Sequence, residues 1–228
     1  KPLDLSNVQK KDPLIRAILL SHIGLDTYAY QESQSSNHKN EYHIKTVKRF
    51  AAAGNYRRGY SLRKMAISGS LNGTNRTEGY KAGFPQAYAK YIEPYTDAWQ
   101  IKPSLAYAIM RQESAFMPEA MSFAYAYGLM QIIPPTANEI AQNIKFAPFE
   151  IGLLNKPKIN TLFGTYYLKY LSDTFQKNII YAIGGYNAGP NALKRWSAKA
   201  GDLDSDEFIE LIPYRETKKY VKRVLVNY

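Results

Sequence analysis

The 228-residue chain contains no cysteine. Thiol catalysis, disulfides and Cys-based zinc sites are therefore excluded, and the redox compartment stays open between periplasm and cytoplasm. Histidine is almost as scarce: His22, His38 and His43 are the only three, all in the first fifth of the chain. The remainder has no material for a His-dependent triad or a His-rich metal site. No apolar run approaches the ~20 residues that a membrane-spanning helix needs. The chain starts at Lys1 without Met and without a signal-peptide pattern. That leads to the expectation of a processed or trimmed product whose export signal is already gone. Acidic residues are outnumbered, 19 against 30 Lys and Arg, for a net charge of +11. Most of the surplus sits in residues 1–95, where basic residues exceed acidic ones by eight. Such a surface favours polyanions: nucleic acid, an anionic membrane surface or an acidic cell-wall polymer.

What is present is the composition of a soluble globular protein, 45% hydrophobic and 21% charged, long enough for one large domain or two small ones. Helical patterns run nearly throughout, with no alternating strand and no internal repeat. Asp12-Pro13 caps and opens a helix to about Leu20, with Gly24 beyond its end. Residues 42–53 repeat Ile44, Val47 and Phe50 at helical spacing, and 61–68 form a further short helix. The polar stretch from Ser68 to Gly79 reads as a loop. Pro103-Ser104, Pro135, the apolar pattern of 159–175, the very apolar 178–187 and the segment after Gly189-Pro190 mark later helices. The architecture expected is all-α, with a domain boundary between about 80 and 98.

Four short stretches carry chemistry. In RQESAF (111–116), Glu113 follows an apolar helix, four residues after Ile109, beside Met110, Ala115, Phe116 and Met117. It is either a helix-end residue paired with Arg111 or solvent, or a carboxyl desolvated enough to donate a proton near neutral pH. In GLMQIIP (128–134), Gly128 allows close backbone approach and Gln131 places an amide in an apolar strip. That amide satisfies either backbone groups in a core turn or a polar ligand. GGYNAGP (184–190) has a thin surface at Gly184, Gly185 and Ala188, followed by Tyr186 and Asn187; a helix end with a Gly-Pro stop explains the same pattern. ELIPYRETKKYV (210–221) sets Glu210 and Glu216 around a Pro-containing turn, with Tyr220 one helical turn after Glu216; an ordinary charged helix does so too. Asp202, Asp204 and Asp206 have calcium-loop spacing, but Glu207 and Pro213 stand where Gly and Glu are needed. They read as a solvated acidic loop.

Together and in this order, the four stretches resemble the family 1 lytic transglycosylases, enzymes of goose-type lysozyme fold that cut peptidoglycan glycan strands. The likeness runs from Phe84 to Tyr228. It implies an all-α, lysozyme-like catalytic domain over 84–228, preceded by a small helical linker domain over 1–83, as in the soluble members. It implies that Glu113 is the catalytic acid/base and Ser114 its partner in the Glu-Ser motif. It also implies that Ser122 assists the N-acetyl group. Met130, Gln131, Tyr186, Asn187, Glu216 and Tyr220 then contact substrate, with Glu210 as a substitute for Glu216. No metal or other cofactor is implied. Peptidoglycan would be the partner, in the periplasm, in preference to nucleic acid.

Most glycosidases flank the scissile bond with two carboxylates. Here the acids between Asp97 and Asp173 other than Glu113 are Glu119, Glu139 and Glu150, none within a motif. A one-carboxylate route fits better, and the resemblance supplies its product, a 1,6-anhydro-MurNAc end made with N-acetyl assistance. A goose-type lysozyme would use the same Glu and add water. A catalytically silent binding module for cell wall or nucleic acid, basic and rich in Tyr, is the reading from a different class. The chain departs from the family pattern at Phe123 and Tyr125, where Pro and Gly are expected, at Ile133 in place of Met, and at GGYN in place of AAYN. The larger groups beside Ser122 leave that loop's conformation and one sugar subsite open.

Overall fold

The computed structural model describes residues 13–23, 25, 28–29, 31–32, 44, 48, 56, 73–201 and 203–228. The chain divides into two compact units, Lys1–Pro85 and Gln86–Tyr228. In the first, α1 (Pro13–His22) opens on a proline and buries Ala17 against Ala29 and Leu20. Arg16 donates to Glu32 Oε2 at 2.9 and 3.0 Å, tying the helix to the segment after it. The helices expected at 42–53 and 61–68 lie outside the described residues, apart from Ile44 and Lys48, both helical. Of the loop expected at Ser68–Gly79, residues 68–72 lie outside the described residues and 73–79 are corrected: α2 (Gly73–Gly83) is a helix. Its Gly79 and Gly83 are buried one turn apart, so they make a bare packing face where sequence alone suggests a breaker. Glu78 on the same helix pairs with Lys81 and Lys48.

The second unit is built from eight α-helices and one 3-10 turn, and two isolated bridges, Met121 with Tyr127 and Tyr127 with Ile132, are its extended pairings among the described residues. These helices are α3 (Ala89–Trp99), α4 (Pro103–Ser114), α5 (Pro134–Asn143), α6 (Pro157–Thr174), α7 (Ile179–Ala188), α8 (Pro190–Ala200), α9 (Ser205–Leu211) and α10 (Arg215–Asn227). Proline opens α4, α5, α6 and α8, where the missing N–H costs nothing. Asn178 caps α7 by accepting from Ile180 N and Tyr181 N. The stretch read as an acidic loop is corrected here. Asp204 and Glu207 form a capping box that starts α9, the carboxylates satisfying its first amides.

At the centre lies α6, against which α3, α4, α5 and α7 pack. Phe163, Leu168 and Leu171 are fully buried along it, each worth roughly 2 kcal/mol of apolar transfer. The same helix carries a buried polar residue, Asn160. Its Oδ1 accepts from Met130 N at 2.7 Å, and its Nδ2 donates to Tyr127 O and Leu154 O at 2.8 Å each. One amide thus holds both the 127–130 turn and the 3-10 segment Ile151–Asn155 onto the central helix.

Two glycines make that clamp possible. A Cβ on Gly128, which adopts φ +72°, would lie 2.2 Å from Asn160 Nδ2 and 2.3 Å from Leu154 O. A Cβ on Gly164 would lie 2.3 Å from Met130 Sδ. The thin face expected at Gly184 and Gly185 is filled from inside: Cβ atoms there would meet Leu193 and Phe175, both at 3.0 Å. It receives core side chains.

Asn160→Ala is expected to leave the Met130 amide and the Leu154 carbonyl without partners, since Tyr127 O keeps the Ile132 amide, and to remove roughly 2–5 kcal/mol of stability. Urea denaturation measures this, and a loss below about 1 kcal/mol would show that the clamp is not needed.

Candidate active site

Glu113 sits in the last turn of α4, whose Leu105, Ala106, Ala108, Ile109 and Met110 are buried. The helix stops abruptly. Ala115 and Phe116 take φ +50° and +67°, consecutive left-handed residues that turn the chain away just beyond the carboxyl. Ser114 secures the stop: its one hydroxyl proton goes to Leu129 O at 2.8 Å, with Met110 O a secondary acceptor at 3.2 Å. That bond also draws the Gly128–Gln131 turn under the helix end.

Across from α4 packs α10, an amphipathic helix with Thr217, Tyr220, Val221 and Val224 turned inward. The Tyr220 hydroxyl donates to Glu113 Oε1 at 2.5 Å, a contact between residues 107 positions apart. Glu216 stands one turn earlier on α10. Removal from water pushes the Glu113 carboxyl from an ordinary 4.5 up to about 7; the Tyr220 hydrogen bond opposes that rise and the negative charge of Glu216 adds to it. Tyr220 and Tyr186 both stay protonated well beyond the ordinary phenol range, first through burial and then through the charge of Glu113.

The remaining residues divide by what holds them. Tyr186 donates to Met130 O at 2.8 Å and packs against Tyr167, ring centres 5.3 Å apart. Asn187 Oδ1 accepts from Thr217 at 2.7 Å, joining α7 to α10. Gln131, at φ +48°, donates its amide to Gly128 O at 2.9 Å and to Ala120 O at 3.1 Å. Both of its N–H groups are committed to backbone, so its Oε1 is the atom left to accept from a ligand. Ser122 Oγ accepts from Ala126 N at 3.0 Å and closes the loop around Phe123 and Tyr125.

Ser114 and Met130 lie beneath this surface. The first is buried with its hydroxyl on backbone carbonyls, and the second is fully buried with its side chain against Gly164. Both support the cleft from below. Glu210 does not serve in place of Glu216: it is exposed on α9 and ion-paired with Lys218 and Lys222. Glu119, Glu139 and Glu150 are exposed, and Glu216 is the one acid whose charge is felt at Glu113 among the described residues. No cluster of three His, Asp or Glu that could hold a metal ion occurs among those residues. Sequence reading missed Asn160 and Thr217. An Asn inside an apolar helical pattern is a visible signal, because a buried amide must find partners; Thr217 offered none.

The model of the transglycosylase SLT domain matches residues 90–209. The chain belongs to that family. It is 41% identical over 144 residues to the soluble lytic murein transglycosylase of Escherichia coli K12, covering 62% of this chain and 22% of that protein. The crystal structure of the 70 kDa soluble lytic transglycosylase from Escherichia coli superposes with a TM-score of 0.74 at 31% identity, over 97% of this chain and 35% of that one. An inactive glutamate-to-glutamine mutant of the lytic transglycosylase Slt from Pseudomonas aeruginosa gives a TM-score of 0.73 at 26% identity, over 98% and 35%. The chain thus spans about a fifth of the curated relative's length and a third of each solved chain. The fold is the all-α, lysozyme-like one of this family, and no helix among the described residues is long and apolar enough to cross a membrane.

The raised Glu113 pKa has a consequence for stability. Below pH 4.5 the carboxyl is protonated in folded and unfolded chains alike; between 4.5 and about 7 only the folded chain keeps the proton; above 7 neither does. Stability therefore falls with rising pH across that window, by about 3 kcal/mol in all. The Glu113→Gln variant lacks this slope, so the difference between its stability–pH curve and the wild type's isolates it. Parallel curves would contradict a desolvated, proton-retaining Glu113.

Proposed function

We propose that the second unit is the catalytic domain of a peptidoglycan lytic transglycosylase, and that residues 1–83 form a helical linker domain before it. The reaction is non-hydrolytic cleavage of the MurNAc–GlcNAc β-1,4 bond. One observation carries this reading: a single half-buried, desolvated carboxyl, Glu113, titrating near neutral pH and clasped by Tyr220. The Escherichia coli relative named for murein, and the Pseudomonas relative inactivated by a glutamate-to-glutamine change, support it.

A group that is about half protonated at pH 7 can act as acid and then as base. Glu113 gives its proton to the glycosidic oxygen as the C1–O bond breaks. The N-acetyl carbonyl oxygen of MurNAc bonds to C1 and forms an oxazolinium-like intermediate. Glu113, now a carboxylate, takes the proton of the 6-hydroxyl while O6 bonds to C1 and the carbonyl leaves. The product is a 1,6-anhydro ring, with no water consumed and no metal or organic cofactor required.

The neighbouring groups have parts set by their free valences. Gln131 accepts from a substrate N–H or hydroxyl through Oε1. Asn187, whose oxygen is taken by Thr217, donates through its amide protons. Ser122 turns its hydroxyl proton to the N-acetyl carbonyl, and Glu216 sustains the proton affinity of Glu113. The basic surface favours the anionic, peptide-bearing polymer, and the periplasm is the compartment where it is met.

Mass analysis of soluble products from purified peptidoglycan tests the reading. Wild type should release muropeptides one water lighter than lysozyme products, and Glu113→Gln should lose on the order of 10³-fold in rate. Hydrated products would make the protein a lysozyme-like hydrolase, and no products a silent binding module. Two further variants move the alkaline limb of the pH–rate profile in opposite directions. Tyr220→Phe removes the bond that stabilises the charged carboxylate and shifts the limb up, whereas Glu216→Gln removes a like charge and shifts it down. Coincident profiles would mean that neither group acts on Glu113.

A further inference from the structure

From Ala120 to Asn138 the chain has no Asp, Glu, Lys or Arg, although its net charge is +11. This neutral strip exposes large apolar groups: Phe123 is fully exposed, Tyr125 is 64% exposed and Met121 61%. The loop that presents them is closely bonded. Ser122 N donates to Ala126 O, Tyr125 N donates to Ser122 O, and Ala126 N donates to Ser122 Oγ, each at 3.0 Å. Tyr125 is held at φ +56°, a left-handed conformation with a steric penalty for a bulky side chain. A ring that is strained and largely in water contributes nothing evident to stability, and such strain collects at functional sites.

The base of this loop is shared with the candidate active site. The carbonyl of Ala120 accepts both Gly128 N, at 2.8 Å, and the Gln131 side-chain amide, at 3.1 Å. The exposed rings are therefore continuous with the turn that aims Gln131. We propose that the Phe123–Tyr125 turn is a stacking platform for the pyranose rings of the glycan strand beside the scissile bond, a grip that favours longer strands. The proposal rests on the glycan-cleaving reading above. Sugar rings offer apolar C–H faces to aromatic groups and keep their hydroxyls in water, which matches neutral, half-wetted rings next to an amide. An anionic membrane surface would call for Lys or Arg among those aromatics, and the strip has none.

The test uses the whole chain carrying Phe123→Ala and Tyr125→Gly together. Neither change removes a buried group, and glycine relieves the left-handed strain, so the unfolding midpoint should hold or rise. On peptide-free glycan strands of many repeats, KM should rise about tenfold with kcat within about twofold of wild type. On tetrasaccharides with one scissile bond, which present fewer rings to the platform, the change should be smaller. If wild type cleaves and the double variant shows the same KM on long strands, the platform is wrong while the glycan-cleaving reading stands. An unchanged KM with lost binding to phosphatidylglycerol vesicles, or with lost self-association by sedimentation, would assign the patch to a membrane or a second copy and overturn it. A wild type that cleaves no strand would overturn both.

Discussion

The amide of Asn160 is the interaction on which the cleft depends. Fully buried on the central helix, it ties Tyr127, Met130 and Leu154 to that helix through three hydrogen bonds. Those bonds fix the 127–130 turn, and the turn supports what surrounds Glu113. Met130 O receives the Tyr186 hydroxyl, Leu129 O receives Ser114 from the end of α4, and Gly128 O receives Gln131. Each group accepting those bonds belongs to one short strip of backbone. Its geometry is tolerated only because Gly128 and Gly164 lack the side chains that would collide with the clamp and with Met130.

Around that scaffold the second constraint is electrostatic. Glu113 is kept from water at the junction of α4 and α10, where burial raises its pKa and Tyr220 offsets part of the rise. Without Tyr220 the carboxyl would be harder to ionise and would serve poorly as a base. With stronger donors it would stay ionised and serve poorly as an acid. The position between those extremes lowers the stability of the folded chain at neutral pH, a common trade where a site needs a strained or desolvated group. The left-handed residues on either side of the cleft, Ala115, Phe116, Tyr125 and Gln131, belong to the same pattern of local cost.

Much of the fold was legible because its signals are local. Prolines at first helical turns and the apolar pattern of 159–175 follow from one stretch of sequence each. The four motifs led to Glu113, Gln131, Tyr186, Asn187 and Tyr220, whose bonded neighbours the structure then supplies. Illegible features were those whose meaning lies in a distant partner. Gly79 read as a loop residue because nothing local says that a helix will bury it. Asp204 is a different case, a local signal that was misread: Asp204 and Glu207 have the spacing of a capping box. Glu210 stayed a substitute for Glu216 until α9 and α10 separated them, one carboxyl ion-paired with lysines and the other acting on Glu113. The doubt over the Ser122 loop resolves similarly. Its bonds impose a left-handed turn that glycine would adopt freely, and Tyr125 occupies it at a cost.

The central claim is that Glu113 holds its proton close to neutral pH. Infrared difference spectra, wild type minus Glu113→Gln, report the protonated carboxyl of this residue directly as pH is varied. The account requires that band to disappear with a midpoint of about 7. A midpoint in the ordinary range near 4.5 would mean that Glu113 is ionised at neutral pH, and the single-carboxyl acid–base mechanism would have to be abandoned.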